Sequence, residues 1–152
     1  MKITADTNVL VRAAVHDEPH QARIAMKILQ KAALIAIPPT VICEFVWVLR
    51  RIYKKSNPDI SQAIRRLMKS PNIVTSRPTI DAGLASLDAG GDFADGVIAY
   101  EGELLAGEEF VSFDAKAVSL LRSQGGRAPS QWWPQEIHRE IAAGVGGWLG
   151  RI

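Results

Sequence analysis

Four short apolar runs, each separated from the next by helix-patterned sequence, constrain this chain more than any other feature. They occupy residues 2–5, 34–37, 73–75 and 110–113. Each is long enough for a strand and too short for a helix. Between and after them, apolar residues recur at helical spacing over 9–15, 19–32, 40–55, 58–69, 79–89, 92–106 and 115–124. Pro19 suits the first turn of its helix, and Gly90-Gly91 and Gly125-Gly126 act as stops. Short apolar strands alternating with helices predict an α/β fold in three layers, a parallel sheet with helices on both faces. In such open sheets, sites form at the carboxyl ends of the strands.

The length of 152 residues fits one domain, and an apolar share of 47% is enough to fill a core. No run approaches the roughly 18 apolar residues of a membrane span, and the first residues lack the apolar region of a signal peptide. The expected location is the cytoplasm, without a membrane partner. Cys43 is the only cysteine, so no internal disulfide forms; beside Ile42 and Phe45 it reads as a buried thiol. It has no adjacent histidine, and His16, His20 and His138 show no metal-ligand spacing. Gly90-Gly91 lacks the further Gly or Lys of a phosphate-binding loop.

The chemistry-bearing pattern is acidic. Asp6 and Asp114 follow the first and last strand-like runs, and Asp95 lies in the first turn of a helix. Glu44 stands three residues after Val41 and four before Val48, which predicts a carboxylate on the apolar face of its own helix. Asp6, Asp92 and Asp114 equally suit helix N-caps, Asp92 and Asp95 have capping-box spacing, and Glu44 at the rim of its stripe would reach water. Helix starts do not account for an acid on a buried stripe. A carboxylate cluster suits a hard cation, Mg²⁺ or Mn²⁺, which activates water and neutralises a phosphodiester. Residues 50–77 add eight cations, among them Arg50, Arg51, Lys54, Lys55, Arg65 and Arg66, against the single acid Asp59. Such a stretch attracts a polyanion or forms a solvated helix face.

These acids sit in recognisable surroundings. Ile3-Thr4-Ala5-Asp6-Thr7-Asn8-Val9-Leu10 resembles the opening of PIN-domain proteins, and Val41-Ile42-Cys43-Glu44-Phe45-Val46-Trp47-Val48-Leu49 resembles their glutamate-bearing helix. Asp92-Phe93-Ala94-Asp95-Gly96-Val97-Ile98-Ala99 and Val111-Ser112-Phe113-Asp114 are similar to the family's later motifs, in the same order. The resemblance covers residues 1–126. It implies that Asp6, Glu44, Asp95 and Asp114 are the catalytic, metal-binding acids, with Asp92 the alternative to Asp95. Thr7 and Asn8 would support the first acid, and Ser112 stands where the family often has Thr. It implies a PIN-like sheet of about five parallel strands, a homodimer, and cleavage of RNA. The size points to the toxin subgroup of VapBC-type toxin–antitoxin pairs, which implies an antitoxin partner that blocks the site. Gly96 replaces the usual Ala, read as a small change.

Two rivals fit less well. A haloacid-dehalogenase-like phosphatase needs a second Asp two positions after the first, where this chain has Asn8; a receiver domain needs an acceptor Asp after the third strand, where it has Thr75-Ser76-Arg77. A non-catalytic RNA-binding module on a degenerate scaffold should have lost acids, and all four are present. Residues 127–152 are not covered by the resemblance. There Ile137, Ile141, Val145, Trp148 and Leu149 form one helical stripe after Pro134, weakened by Gly144, Gly146 and Gly147. They read as a helical C-terminal extension, outside a nuclease domain over 1–126.

Overall fold

A computed structural model describes residues 1–126. The expectation of a helical extension over 127–152 lies outside them. The described residues form an α/β fold of three strands and seven helices in the order β1 (Lys2–Thr4), α1 (Thr7–Val15), α2 (Pro19–Lys31), β2 (Leu34–Ala36), α3 (Pro39–Arg51), α4 (Asn57–Met68), β3 (Ile73–Val74), α5 (Arg77–Asp88), α6 (Phe93–Leu104) and α7 (Ala115–Ser123). The strands are parallel in the order β1-β2-β3, with Ile3 opposite Ile35 and Ile35 opposite Ile73. Each parallel step needs a crossover. Helices α1 and α2 make the first and α3 and α4 the second.

The expected sheet of about five strands is corrected to three among the described residues. Residues 110–113 hold no strand. Their apolar composition suits a ladder, but a strand needs a neighbour to bond with, and here Val111 and Phe113 are 56% and 69% exposed. Sequence pattern registers the residue types and not whether a partner edge is present.

Local chemistry explains the helix ends. Asp6, Ser56, Asp92 and Asp114 each accept a backbone N–H in the first turn of α1, α4, α6 and α7. Pro occupies the first turn of α2, α3, α4 and α5. Helix α3 stops at Arg51, short of the expected residue 55, and Lys54 then takes a left-handed conformation with φ 52°. The core joins Ile35 and Ile37 at the sheet to Ile42, Phe45, Ile60, Ile64, Ile80, Leu87 and Phe93 on the helices. Burying such a side chain contributes about 1.5–3 kcal/mol.

Helices α5 and α6 make the most extensive element pair. Gly96 sets their separation. A Cβ there would stand 2.4 Å from the Ala82 carbonyl oxygen and 2.9 Å from Ser86 Cβ. The Gly-for-Ala departure at 96 is therefore not small: the helices approach closely because the side chain is absent. The turn between them needs Gly90, whose φ of 86° suits glycine.

Candidate functional site

Four elements deliver the four acids. Asp6 follows β1, Glu44 sits in α3, Asp95 in the first turn of α6, and Asp114 before α7. Asp6 and Glu44 belong to one group. Asp6 Oδ1 accepts the Thr7 backbone N–H at 2.7 Å, and the Asn8 amide donates to Asp6 Oδ2 at 3.4 Å. The buried Thr7 hydroxyl donates to Glu44 Oε2 at 2.6 Å. Thr7 thereby ties the Asp6 end of α1 to Glu44, 37 positions further along the chain.

Glu44 departs from expectation. It is exposed, because the buried stripe of α3 runs through Ile42, Phe45, Val46 and Leu49, while Ile52 is 60% exposed and Trp47 56%. The stripe lies about half a turn away from Glu44, and the carboxylate meets water and Thr7. Its next-door neighbour Cys43 is half-buried, and burial, with Asp92 and Glu101 adding to it, pushes the thiol up to about 11. At neutral pH that thiol therefore stays protonated and is a poor nucleophile.

Asp92, Asp95 and Asp114 form the second group. Burial raises the Asp95 carboxyl above its ordinary value, and the carboxylates of Asp92 and Asp114 add to the rise. These three acids therefore share one electrostatic neighbourhood. Their hydrogen bonding separates them. Asp92 Oδ1 accepts the Ala94 N–H at 2.8 Å and its Oδ2 accepts from Arg50 at 2.5 Å. Asp114 Oδ1 caps α7 through Lys116 N at 2.9 Å and Ala117 N at 3.1 Å, and its own N–H donates to Ser112 Oγ at 3.0 Å. The Asp95 side chain makes no hydrogen bond among the described residues, so it does not return the bond that a capping box requires. Capping accounts for Asp6, Asp92 and Asp114 and leaves Asp95 without a structural task.

Among the described residues no three His, Cys, Asp or Glu side chains converge as a ready-made metal cluster. The donor chemistry nevertheless fits a hard divalent cation. All four candidates are carboxylates, and Asp95 is half-buried among like charges and is in no ion pair among the described residues.

The basic stretch divides in two. Arg50 and Arg65 are spent in ion pairs with Asp92 and Asp88 at 2.5 and 2.6 Å. Arg51, Lys54, Lys55, Arg66 and Lys69 are exposed. Among the described residues no helix is long and apolar enough to cross a membrane. What sequence reasoning missed is the role of Arg50, which composition registers only as one cation among eight.

A comparison with known families matches residues 3–119 to the PIN domain, a span that contains all four acids. No curated protein matches the chain.

Proposed function

The chain belongs to the PIN-domain family, whose members are typically metal-dependent nucleases, and we propose that it is a ribonuclease that hydrolyses RNA phosphodiester bonds. The observation that carries this reading is Asp95, a half-buried acid whose side chain makes no hydrogen bond among the described residues and whose charge is opposed by Asp92 and Asp114. Such an acid is costly in a fold unless a cation answers it.

Asp6, Glu44, Asp95 and Asp114 would hold the metal, Mg²⁺ or Mn²⁺. When bound, it supplies positive charge for the phosphodiester and lowers the pKa of a water. The chain's own residues prepare for that. Thr7 fixes one oxygen of Glu44, and Asn8 and the Thr7 N–H fix Asp6. The Asp114 carboxylate is oriented by two backbone N–H groups of α7. Exposed Glu44, Asp6 and Asp114 leave the site open to a polymer. We place these functions within residues 1–126. The test is RNA cleavage titrated with Mn²⁺. Cleavage should require the metal and leave a 5′-phosphate and a 3′-hydroxyl, because water is the attacking group. Activity in excess EDTA, or a 2′,3′-cyclic phosphate product, would overturn the mechanism.

The finer reading is a VapC-type toxin acting as a homodimer in the cytoplasm and blocked by an antitoxin protein. It is supported by the order of the four motifs within one small span. Expression of the chain in a bacterial host should arrest growth, and Asp6→Asn should not.

A further inference from the structure

We infer that Arg50 is a positioning residue for the carboxylate site, registering the helix of Glu44 against the helix of Asp95. The inference rests on the nuclease reading above. Arg50 lies on α3 with Glu44, and its partner Asp92 caps α6, on which Asp95 occupies the first turn. The Arg50 guanidinium reaches Asp92 Oδ2 at 2.5 Å, Asn57 Oδ1 at 3.1 Å and the Gly91 carbonyl at 3.5 Å. One planar fork thus joins α3, the first residue of α4, and the turn that leads into α6. A lysine presents a single point charge and does not span three acceptors in one plane.

The surrounding bonds show where the strain of a mispositioned α6 would fall. The turn between α5 and α6 is gripped from several sides. The Asn57 amide donates to the Leu87 carbonyl at 3.2 Å, Arg65 on α4 pairs with Asp88 at 2.6 Å, and Lys116 on α7 donates to the Gly90 carbonyl at 2.9 Å. Of these cations, Arg50 alone shares a helix with one proposed ligand and bonds a residue within one turn of another. Its pair is also part-buried, with 28% of the Arg50 side chain exposed. Holding both Asp92 oxygens, one by Arg50 and one by Ala94 N, also keeps that carboxylate from competing with Asp95 for a cation. Groups that orient metal ligands from behind typically cost about 10–100-fold in metal affinity when removed.

The experiment is Mn²⁺ titration calorimetry on the full chain, with metal-free melting and steady-state RNA cleavage alongside. Arg50→Met should fold, bind Mn²⁺ at least about tenfold more weakly, and lose kcat with KM for RNA little changed. Arg50→Lys, which keeps the charge, should recover part of that affinity. A purely structural Arg50 would lower the melting temperature and leave Mn²⁺ affinity within about twofold of wild type; that result overturns the inference. If Arg50→Met does not fold, Asp92→Asn takes its place, because it keeps the cap oxygen and removes the charged partner. The same loss is expected, and unchanged affinity overturns the inference. A wild-type chain that binds no Mn²⁺ overturns the nuclease reading and this inference together. A wild type that binds Mn²⁺ beside an equally tight Arg50→Met overturns this inference alone.

Discussion

The Thr7 hydroxyl and the Glu44 carboxylate meet at 2.6 Å, although α1 and α3 place them on different crossovers. Thr7 is buried and Glu44 is exposed, so the donor is rigid and the acceptor is the part that it holds. Thr7→Val removes the donor at nearly constant volume. Water replaces the missing bond at the exposed end, so the stability loss should be about 1 kcal/mol. Mn²⁺ affinity should fall about tenfold. Chemical denaturation and calorimetry separate the two effects, and a loss of stability without a loss of affinity would remove Thr7 from the site.

Asp95 and Asp92 should behave oppositely. Asp95→Asn removes a half-buried charge that two carboxylates repel, so the metal-free protein should melt at the same temperature or higher. Its cleavage should drop by more than about 100-fold, beyond the cost of losing an outer partner. Asp92→Asn keeps its capping oxygen and should lose about 10–100-fold, the cost of an outer partner. Melting and cleavage assays on both variants check this, and the reverse ranking would make Asp92 the ligand.

Exposed cations near the end of the Glu44 helix should carry the RNA backbone. Arg51 and Lys55 are suitable for charge reversal, since among the described residues neither is paired in a salt bridge; Lys54 has a left-handed backbone and Arg65 holds Asp88. Arg51→Glu with Lys55→Glu should weaken RNA binding and reduce the slope of log K against log salt by about 0.7 for each phosphate that is no longer neutralised. Binding measured across a salt series decides it; an unchanged slope means that this face is merely solvated.

Acid stability should depend on Arg65. Arg65, with Ser61 assisting, holds the Asp88 carboxyl below its ordinary 3.8. A group with a depressed folded pKa contributes stability above its unfolded value, and that contribution is lost as pH falls through the folded value. Arg65→Met should therefore destabilise the protein only slightly at neutral pH, because so exposed a pair is screened by solvent. The difference from wild type should shrink as pH falls below 3.8. Denaturation curves at pH 7 and pH 3 test the sign.

Gly96→Ala should be far from conservative. Its Cβ would lie 2.4 Å from a backbone oxygen, which cannot swing aside like a side-chain tip. Separating α5 and α6 should cost about 1–3 kcal/mol, visible as a lower melting temperature. It should also shift Asp95 next door, so activity should fall with stability.

Most elements are legible in the sequence because local signals set them. Pro19 and Gly90 mark ends that the structure keeps, and the apolar runs at 34–37 and 73–75 become β2 and β3. The run at 110–113 misleads because strand formation depends on a neighbour that composition does not encode. Glu44 misleads by phase: Val41 and Val48 are half-buried flanks, and the centre of the stripe lies at Ile42, Phe45 and Leu49. Gly96 reads as a minor change only while its surroundings are unknown, since the cost of a methyl group depends on what faces it, here the Ala82 carbonyl. Arg50 is invisible as more than a charge, since its three acceptors lie up to 42 positions away.

The four acids come from four separate elements between residue 6 and residue 114. On the ribosome, Asp6 and Glu44 emerge well before Asp95, and Asp114 emerges last. A growing chain therefore carries half of the proposed site from residue 44 until residue 95 is made, and a chain cut between any two of these elements carries no complete one. On the nuclease reading proposed above, the protein would be silent while its own message is being read and would acquire activity only once the Asp114 end of α7 has been made.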